Sequence, residues 1–113
     1  MNHLYIGIDL GTSSVKLSLV SCRGLIIKQT AQDYDVLHPY PNYSEQDPNV
    51  WWKARKAALK ALLEYVDTSF VKGISFGGQM HGLVILDDGD QVIRPCILWN
   101  DGRAEEEKRY LNE

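Results

Sequence analysis

The amino-acid sequence predicts an α/β protein with a mixed sheet whose elements follow the order β-β-β-α-β. Three strand-like segments at short spacing, 4–10, 14–21 and 24–32, indicate an antiparallel meander. An amphipathic helix is predicted over 48–66, and the apolar segment 71–76 follows it. A strand reached through a helical crossover pairs in parallel with an earlier strand, so the sheet is expected to contain both pairing directions.

Side-chain periodicity supports these elements. Val15, Leu17 and Leu19 alternate along the second segment, which is the pattern of a strand with one buried face. Asp47 is typical of a helix cap, and Pro48 suits the first helical position, where an N–H is not needed. Apolar residues then recur at spacings of three or four: Trp51, Ala54, Ala58, Leu62 and Tyr65. The helix is therefore amphipathic.

The rest of the chain is predicted to hold a long loop, a hairpin and a last helix. Two prolines exclude a helix from 33–46, which is typical of a surface connection. Strands over 83–87 and 92–97 flank an Asp-Asp-Gly-Asp turn, the pattern of a hairpin. The composition of 103–113 favours a helix without a C-terminal stop signal, so we expect the chain to be cut from a longer protein.

Composition and charge limit the class of protein. The 113 residues, 44% hydrophobic and 24% charged, suit one globular domain. A net charge of −3 provides no positive field for nucleic acid. No apolar run approaches the roughly 20 residues of a membrane span, and the start lacks a secretory pattern, so a cytoplasmic protein is expected. Cys22 and Cys96 lack metal-ligand spacing and are expected to be reduced core thiols.

The segment 9–16, DLGTSSVK, is the strongest local signal of a binding site. Because Gly11 has no Cβ, the backbone N–H groups and hydroxyls of this turn can approach phosphate oxygens closely. Asp9 beside them could hold a hydrated Mg²⁺. The residues of this candidate phosphate site are Asp9, Gly11, Thr12, Ser13, Ser14 and Lys16. A plain hairpin turn explains the same residues equally well, so the segment alone does not decide.

A second candidate site is the segment 77–82, GGQMHG, which follows a predicted strand. Ligands of α/β sheets bind beyond such strand ends. The glycines permit close approach of the backbone, while the Gln79 amide and the His81 imidazole supply directional hydrogen bonds to hydroxyl groups. That chemistry suits a polyol. The alternative is a structural His81 and a Met80 that packs in the core.

A third candidate is the segment 99–103, WNDGR. An indole can cover the apolar face of a sugar, and the polar groups that follow can bind its hydroxyls. Trp99 and Asp101 are therefore candidate sugar ligands. The alternative is a buried tryptophan beside a helix capped by Asn100 or Asp101. The tryptophan pair at 51–52 is interpreted as core packing.

Taken together, four motifs resemble the beginning of the FGGY carbohydrate kinases: IGIDLGTSSVK, YSEQDPNVWW, GISFGGQMHG and ILWNDGR. They occur in the family's order and cover nearly the whole chain. The resemblance implies the actin-like ATPase fold with a ribonuclease H-like core, in which two domains close around sugar and ATP. It also implies that 1–113 is the N-terminal part of the first domain, which is then incomplete, and that the second domain is absent.

The resemblance also implies roles for individual residues. Asp9 is similar to the aspartate that supports activity near the metal, and the segment 11–16 is similar to the family's phosphate-facing turn. Met80 and His81 are similar to the family's substrate contacts, and Trp99 is similar to an aromatic residue that lines the sugar pocket. Asp101 and Arg103 match the motif, but the resemblance assigns them no definite role. In the family the catalytic base and the adenosine-binding glycines lie further downstream, so no residue of this chain is assigned to either role.

The implied activity is in-line transfer of the γ-phosphoryl group of ATP, with Mg²⁺, to a hydroxyl of a ketopentose. The GQMHG element favours D-xylulose, giving D-xylulose 5-phosphate, over ribulose, gluconate or glycerol. One alternative is a family member for another of these substrates, and a second is a fragment that acts only as a non-catalytic binding module. The fragment alone is expected to be inactive, and a homodimer of the full-length protein is one expectation.

Overall fold

The computed structural model describes residues 3–113 and divides them into two compact units. The sheet unit comprises 3–34 and 49–79, and the loop unit comprises 35–48 and 80–113. In chain order the elements are β1 (Leu4–Leu10), β2 (Ser14–Ser21), β3 (Ile26–Asp33), β4 (Glu45–Gln46), α1 (Pro48–Leu62), a 3₁₀ turn (Thr68–Phe70), β5 (Val71–Gly78), β6 (Cys96–Ile97) and α2 (Glu105–Leu111).

The sheet unit contains a four-stranded sheet in the order β3-β2-β1-β5. β1 pairs antiparallel with β2, and β2 pairs antiparallel with β3, which gives the predicted meander. β5 follows α1 along the chain and lies parallel to β1. The sheet is therefore mixed, and the predicted α/β class is confirmed.

The core lies between α1 and one face of this sheet. Its buried residues are Ile6, Ile8, Val15, Leu17, Leu19, Tyr34, Ala54, Ala58 and Leu62. The strand residues in this set alternate along β1 and β2, so they share one face. Ala54, Ala58 and Leu62 recur every four residues and form one stripe of α1, where the two alanine side chains let the helix lie close to the strands.

Two side chains of β3 fix the last turns of α1. The Thr30 hydroxyl donates to the Ala58 carbonyl at 2.8 Å, and the Lys28 ammonium donates to the Ala61 carbonyl at 2.8 Å. The Ala61 carbonyl is one of the last four of α1, which lack partners within the helix, and a cation is favourable at that end. The helix ends at Leu62 rather than at residue 66 as predicted, and Tyr65 beyond it has a φ of 61°, which is incompatible with helical backbone.

The two tryptophans of α1 have different environments. Trp51 packs against the core, in agreement with the prediction. Trp52 is 60% exposed, and the Arg55 guanidinium carbon lies 3.9 Å from its ring centroid. The core-packing prediction was therefore wrong for Trp52, because adjacent positions of a helix point about 100° apart and only one of them faced the sheet.

The loop unit contains a two-stranded sheet that the sequence did not predict. β4 pairs antiparallel with β6, so Glu45 lies opposite Ile97 and Gln46 lies opposite Cys96. Although 33–46 was expected to be a surface loop, Gln46 is 0% exposed and donates to the Asp35 carbonyl at 3.2 Å. Two residues are too few to show a strand periodicity, so the pattern was not visible in the sequence.

The hairpin predicted over 83–87 and 92–97 is reduced to isolated bridges. Leu86 pairs with Val92 and Leu83 pairs with Ile97, without a continuous ladder. Pro95 interrupts the second segment because it has no N–H to donate. The prediction of two full strands was therefore wrong, and Cys96–Ile97 pair with β4 instead.

The remaining differences concern a helix boundary and a cysteine. α2 spans Glu105–Leu111 rather than 103–113, and the Arg103 N–H before it donates to the Asp101 carboxylate at 2.9 Å. Cys96 is buried as expected, and burial raises the pKa of its thiol. Cys22 is exposed, contrary to the prediction, because it lies in the turn that follows β2.

Candidate functional site

The turn between β1 and β2 is closed by its own backbone. The Gly11 N–H donates to the Ser14 carbonyl at 2.9 Å. A Cβ on Gly11 would lie 3.0 Å from that same carbonyl oxygen, so the tight closure favours glycine. Ser13 is exposed at the tip, while Thr12 and Ser14 are half-buried on either side of it. The predicted phosphate turn is therefore a compact hairpin bend with its tip in solvent.

Tyr34, at the end of β3, supports this bend from the core side. Its hydroxyl donates to the Gly11 carbonyl at 2.5 Å, and its backbone N–H donates to the Ser13 carbonyl at 3.0 Å. Burial raises the pKa of Tyr34 to about 12, and the negative charge of Asp9 adds to the effect. This support was not predicted, because Tyr34 is one of three tyrosines in an irregular segment without periodicity. The neutral phenol thus anchors the bend at neutral pH.

Asp9 and Lys16 face each other on the outer side of the sheet. They are register partners between β1 and β2, and both are exposed. On the other side of Asp9, its register partner in β5 is Gly77. These residues line an open groove with a volume of about 330 Å³. At Gly7 and Gly77 a Cβ would meet nothing within 4 Å, so the groove is lined by bare backbone at these two positions.

The chemistry of this groove suits a phosphate and a hydrated cation. An ammonium group attracts phosphate oxygens, and Mg²⁺ is commonly held by one or two carboxylates together with water and phosphate oxygens. A bare glycine floor lets a bulky charged group come close to the sheet. Within residues 3–113, groups of three or more His, Cys, Asp or Glu arranged as a metal cage are absent. Asp9 therefore fits one carboxylate ligand of a solvated ion.

Gln79 lies directly beyond β5 and beside the same bend. Its backbone N–H donates to the Leu10 carbonyl at 2.9 Å, and its side-chain oxygen accepts a hydrogen bond from the Thr12 hydroxyl at 3.2 Å. The structure thus brings together one residue predicted to bind sugar and one predicted to bind phosphate. This contact was not predicted, because the two residues are 67 positions apart in the sequence.

Met80 and His81 open the loop unit with exposed side chains. Met80 is 70% exposed, which excludes the alternative of core packing. His81 is exposed and has a φ of 65°, a left-handed conformation that is uncommon for residues with a Cβ. Gly82 lies against β6, since a Cβ there would be 3.1 Å from the Cys96 sulfur. The loop is thus held by its glycine while it presents a thioether and an imidazole to solvent.

Trp99, two residues after β6, is 56% exposed. The alternative of a buried tryptophan was therefore wrong. The cap of α2 is Ala104, which makes no side-chain capping bond, so neither Asn100 nor Asp101 caps that helix. An exposed indole remains available for stacking on an apolar ligand face.

Asp101 differs from the prediction most clearly, since its side chain is only 2% exposed. Its carboxylate accepts from the Ser44 N–H at 2.7 Å and from the Nε and Nη2 groups of Arg103 at 2.8 and 2.7 Å. These bonds, above all those from Arg103, hold the pKa of Asp101 well below its usual range. Both oxygens are engaged by the protein, so this geometry does not support Asp101 as a sugar contact.

Arg103 links this carboxylate to a second one in β4. Its Nη2 group donates to Glu45 at 2.6 Å, and the same Glu45 oxygen accepts from Arg94 at 2.5 Å. The guanidinium carbon of Arg103 also lies 3.8 Å from the centroid of the Tyr43 ring. The hydrogen bond to Asp101, followed by those to Glu45, raises the pKa of Arg103 above its usual value. This cluster joins segments of the loop unit that are distant in the sequence.

The chain matches a known protein family over almost its whole length. The family model for the N-terminal domain of the FGGY family of carbohydrate kinases matches residues 4–113. The chain belongs to that family. The resemblance of its motifs is thereby confirmed, and with it the actin-like ATPase fold of the FGGY kinases.

Among proteins similar to this FGGY chain, a xylulose kinase of Klebsiella pneumoniae is 47% identical over 110 residues, covering 97% of this chain and 23% of that protein. A xylulose kinase of Escherichia coli K12 is 46% identical over 108 residues, covering 96% and 22% respectively. A solved structure of a "xyloylose kinase" from Brucella ovis aligns with a TM-score of 0.92 at 44% identity, covering 96% of this chain and 23% of that one. The chain spans less than a quarter of the length of these relatives.

Among residues 3–113, neither helix has the length and apolar character needed to cross a bilayer.

Proposed function

We propose that this chain is the N-terminal portion of a sugar kinase that transfers the γ-phosphoryl group of ATP to D-xylulose and forms D-xylulose 5-phosphate. The observation that carries the proposal is the groove in which Asp9 and Lys16 face each other beside the Gly11 bend. In a member of the FGGY carbohydrate kinases, this pairing of carboxylate, ammonium and glycine floor is suited to the phosphate end of a nucleotide.

On the nucleotide side, we propose that Lys16 and the bend at 11–14 bind and orient the phosphate chain. The exposed ammonium group of Lys16 favours negative charge, and the backbone and hydroxyl groups of the bend add short-range hydrogen bonds. Asp9 would hold Mg²⁺ through one carboxylate. When bound, the ion neutralises charge on the phosphate oxygens during transfer. Orientation of the γ-phosphate for in-line attack is then the main task of these residues.

On the sugar side, we propose that Met80, His81 and Trp99 contact the ketopentose. The indole and the thioether present apolar surfaces, while the imidazole can donate or accept a hydrogen bond with a hydroxyl group. All three side chains are exposed in the loop unit, as ligand contacts of an open site would be. The choice of D-xylulose rests on the GQMHG element and on the similarity to xylulose kinases.

A substrate panel tests the proposed function. The intact kinase that contains this chain is assayed with ATP and Mg²⁺ on D-xylulose, D-ribulose, gluconate and glycerol. We expect the highest kcat/KM for D-xylulose. Good turnover of another substrate with little turnover of D-xylulose would reject the substrate, and no ATP-dependent phosphorylation of any of them would reject the activity.

The role of the groove is tested with Asp9→Asn in the intact kinase. We expect kcat to fall by about 100-fold or more, with little change in the KM for D-xylulose, because the lost charge acts on the phosphate end. Asp88→Asn, which removes an exposed carboxylate from a loop-unit turn, is the matched control. Equal kinetics of the Asp9 variant and the unsubstituted enzyme would remove Asp9 from the site.

The alternative of a non-catalytic binding module makes an opposite prediction. Calorimetry of the 113-residue chain with D-xylulose should show no binding or very weak binding, because an actin-like kinase closes a second domain over its substrates. Submillimolar affinity of the isolated chain would favour the binding module.

A further inference from the structure

A hydrogen bond between the Thr12 hydroxyl and the Gln79 side chain connects the bend at 11–14 with the segment 77–82. The distance from Thr12 Oγ1 to Gln79 Oε1 is 3.2 Å, and both residues are half-buried in the sheet unit. We infer that Gln79 is a positioning residue which sets the direction of the Thr12 O–H bond and thereby couples nucleotide binding to sugar binding. This inference rests on the proposed function.

The backbone of Gln79 is fixed to β1, which keeps its side chain within reach of Thr12. The Gln79 N–H donates to the Leu10 carbonyl at 2.9 Å, immediately before the bend. A Cβ on the preceding Gly78 would lie 3.1 Å from that carbonyl oxygen, so the end of β5 lies directly against the end of β1. A displacement of Gln79 is therefore transmitted to the first residue of the bend.

The direction of the hydrogen bond has a chemical consequence. A threonine hydroxyl carries one proton, and here that proton is directed to Gln79 Oε1. In this arrangement Thr12 can offer only oxygen lone pairs to a ligand. If the Gln79 amide turns by half a rotation, its NH₂ group donates to Thr12 and the Thr12 proton becomes available to a phosphate oxygen. A glutamine permits both arrangements because its amide contains a donor and an acceptor.

Sugar binding can affect this hydrogen bond through the residues that follow Gln79 in the chain. Met80 and His81 follow Gln79 directly, so a sugar that moves their backbone also acts on the Gln79 amide. The φ of 65° at His81 means that the segment is held in a sparsely populated conformation, which is common where a backbone is set by its surroundings. Sugar binding is thereby expected to favour one of the two amide orientations and to change the affinity for nucleotide.

This role differs from the direct sugar contact that the sequence suggested for Gln79. A sugar ligand would affect sugar affinity alone, and its removal would act independently of Thr12. A positioning residue would affect nucleotide affinity, and its removal would be redundant with removal of the Thr12 hydroxyl. The two roles are therefore separable by a double-mutant cycle.

The experiment uses the intact kinase with the variants Gln79→Met, Gln79→Glu and Thr12→Val and the double variant Gln79→Met with Thr12→Val. The KM for ATP is measured at saturating D-xylulose, and the Kd of a non-hydrolysable ATP analogue is measured with and without D-xylulose. We expect each single variant to raise the KM for ATP by roughly five- to tenfold. The double variant should raise the KM for ATP no more than either single variant does. In all of these variants, D-xylulose should no longer change the Kd of the ATP analogue.

Conservative and control variants complete the design. Gln79→Glu is nearly isosteric and only accepts hydrogen bonds when ionised, so it tests donor loss even if Gln79→Met does not fold. Thr12→Ser retains a hydroxyl, so Gln79→Met should raise the KM for ATP in the Thr12→Ser enzyme as much as in the unsubstituted enzyme, whereas it should add nothing in the Thr12→Val enzyme. Gln91→Met, which changes an exposed glutamine of a loop-unit turn, should change neither constant.

Two results would overturn the inference. One is additive effects of the Thr12 and Gln79 substitutions on the KM for ATP. The other is a change confined to the KM for the sugar. If the enzyme without substitutions phosphorylates a different sugar of the panel, the proposed substrate fails, and the same cycle is carried out with that sugar.

Discussion

The Ser44 backbone N–H donates to the Asp101 carboxylate at 2.7 Å and joins two segments 57 positions apart. In addition, the Leu98 N–H donates to the Ser44 carbonyl at 2.9 Å. Ser44 is thereby held on both of its backbone polar groups by the turn that carries Trp99. Because Arg103 neutralises the buried Asp101 charge, this connection combines hydrogen bonding with an ion pair.

Replacing Asp101 by asparagine should destabilise the folded protein. Asparagine keeps the shape but removes the charge, which leaves Arg103 with Glu45 as its remaining ionic partner. We expect the free energy of unfolding to fall by about 2 kcal/mol, because hydrogen bonds to charged groups contribute about that much. The thermal midpoint of the intact kinase should fall by several degrees. Asp88→Asn is the control, and equal midpoints for both variants would contradict a supporting role of Asp101.

The lowered pKa of Asp101 predicts that the stability of the protein decreases at acidic pH. The pKa of Asp101 is held below the ordinary value of 3.8 in the folded state, so its ionised form stabilises the fold at pH values above 3.8. This contribution is lost as the pH falls below that value towards the folded pKa. The difference in denaturant midpoint between the unsubstituted protein and Asp101→Asn should therefore shrink below about pH 4. A difference that is constant from about pH 6 to 3 would argue against the ion pair.

Tyr34→Phe should loosen the bend that follows β1. The substitution removes the donor to the Gly11 carbonyl and leaves that half-buried acceptor without its partner. We expect a loss of about 1 kcal/mol in stability and a KM for ATP several times higher, because the bend no longer has fixed geometry. Tyr65→Phe, at a position that is 98% exposed, is the control. An unchanged KM for ATP would mean that this hydrogen bond does not support the bend.

The raised pKa of Tyr34 predicts that the protein loses stability at alkaline pH. Its pKa is raised from 10.0 to about 12 in the folded state, so its contribution is complete below pH 10 and is lost as the pH rises towards 12. The unsubstituted protein should be destabilised relative to Tyr34→Phe over this range, as measured by the denaturant midpoint at each pH. Parallel curves for the two proteins would contradict the raised pKa.

The neighbouring glycines of β5 should respond differently to alanine. A Cβ at Gly78 would lie 3.1 Å from the Leu10 carbonyl oxygen, whereas a Cβ at Gly77 meets nothing within 4 Å. We expect Gly78→Ala to destabilise the fold by about 1–3 kcal/mol, because backbone has to shift. Gly77→Ala should fold normally and weaken ATP binding, since its methyl group projects into the groove beside Asp9. Equal stability of the two variants would refute the contact at Gly78.

The conformation of His81 predicts an order among its substitutions. Asparagine tolerates a positive φ better than alanine does, so His81→Asn should be more stable than His81→Ala by about 0.5–1 kcal/mol. Both should raise the KM for D-xylulose, by about tenfold for alanine, if the imidazole binds a sugar hydroxyl. Thermal midpoints and sugar kinetics of the two variants provide the measurement. A more stable alanine variant would contradict the backbone argument.

The sequence alone determined the elements whose pattern lies within a short window of the chain. Alternation along β2 and the four-residue spacing of Ala54, Ala58 and Leu62 predicted a buried strand face and a buried helix stripe, because period and burial are coupled locally. The four family motifs were also local, and together they indicated the family, while the segment 9–16 indicated the candidate phosphate bend.

Only the tertiary structure decided which of these residues contact each other. It engaged the Asp101 carboxylate with Ser44 and Arg103, formed β4 from two residues of an irregular segment, and directed the Thr12 hydroxyl to Gln79. Such contacts depend on where the chain returns after tens of residues, and nothing in the local pattern encodes that path. A carboxylate therefore looks the same in the sequence whether it is exposed in a groove, like Asp9, or hydrogen-bonded within the fold, like Asp101.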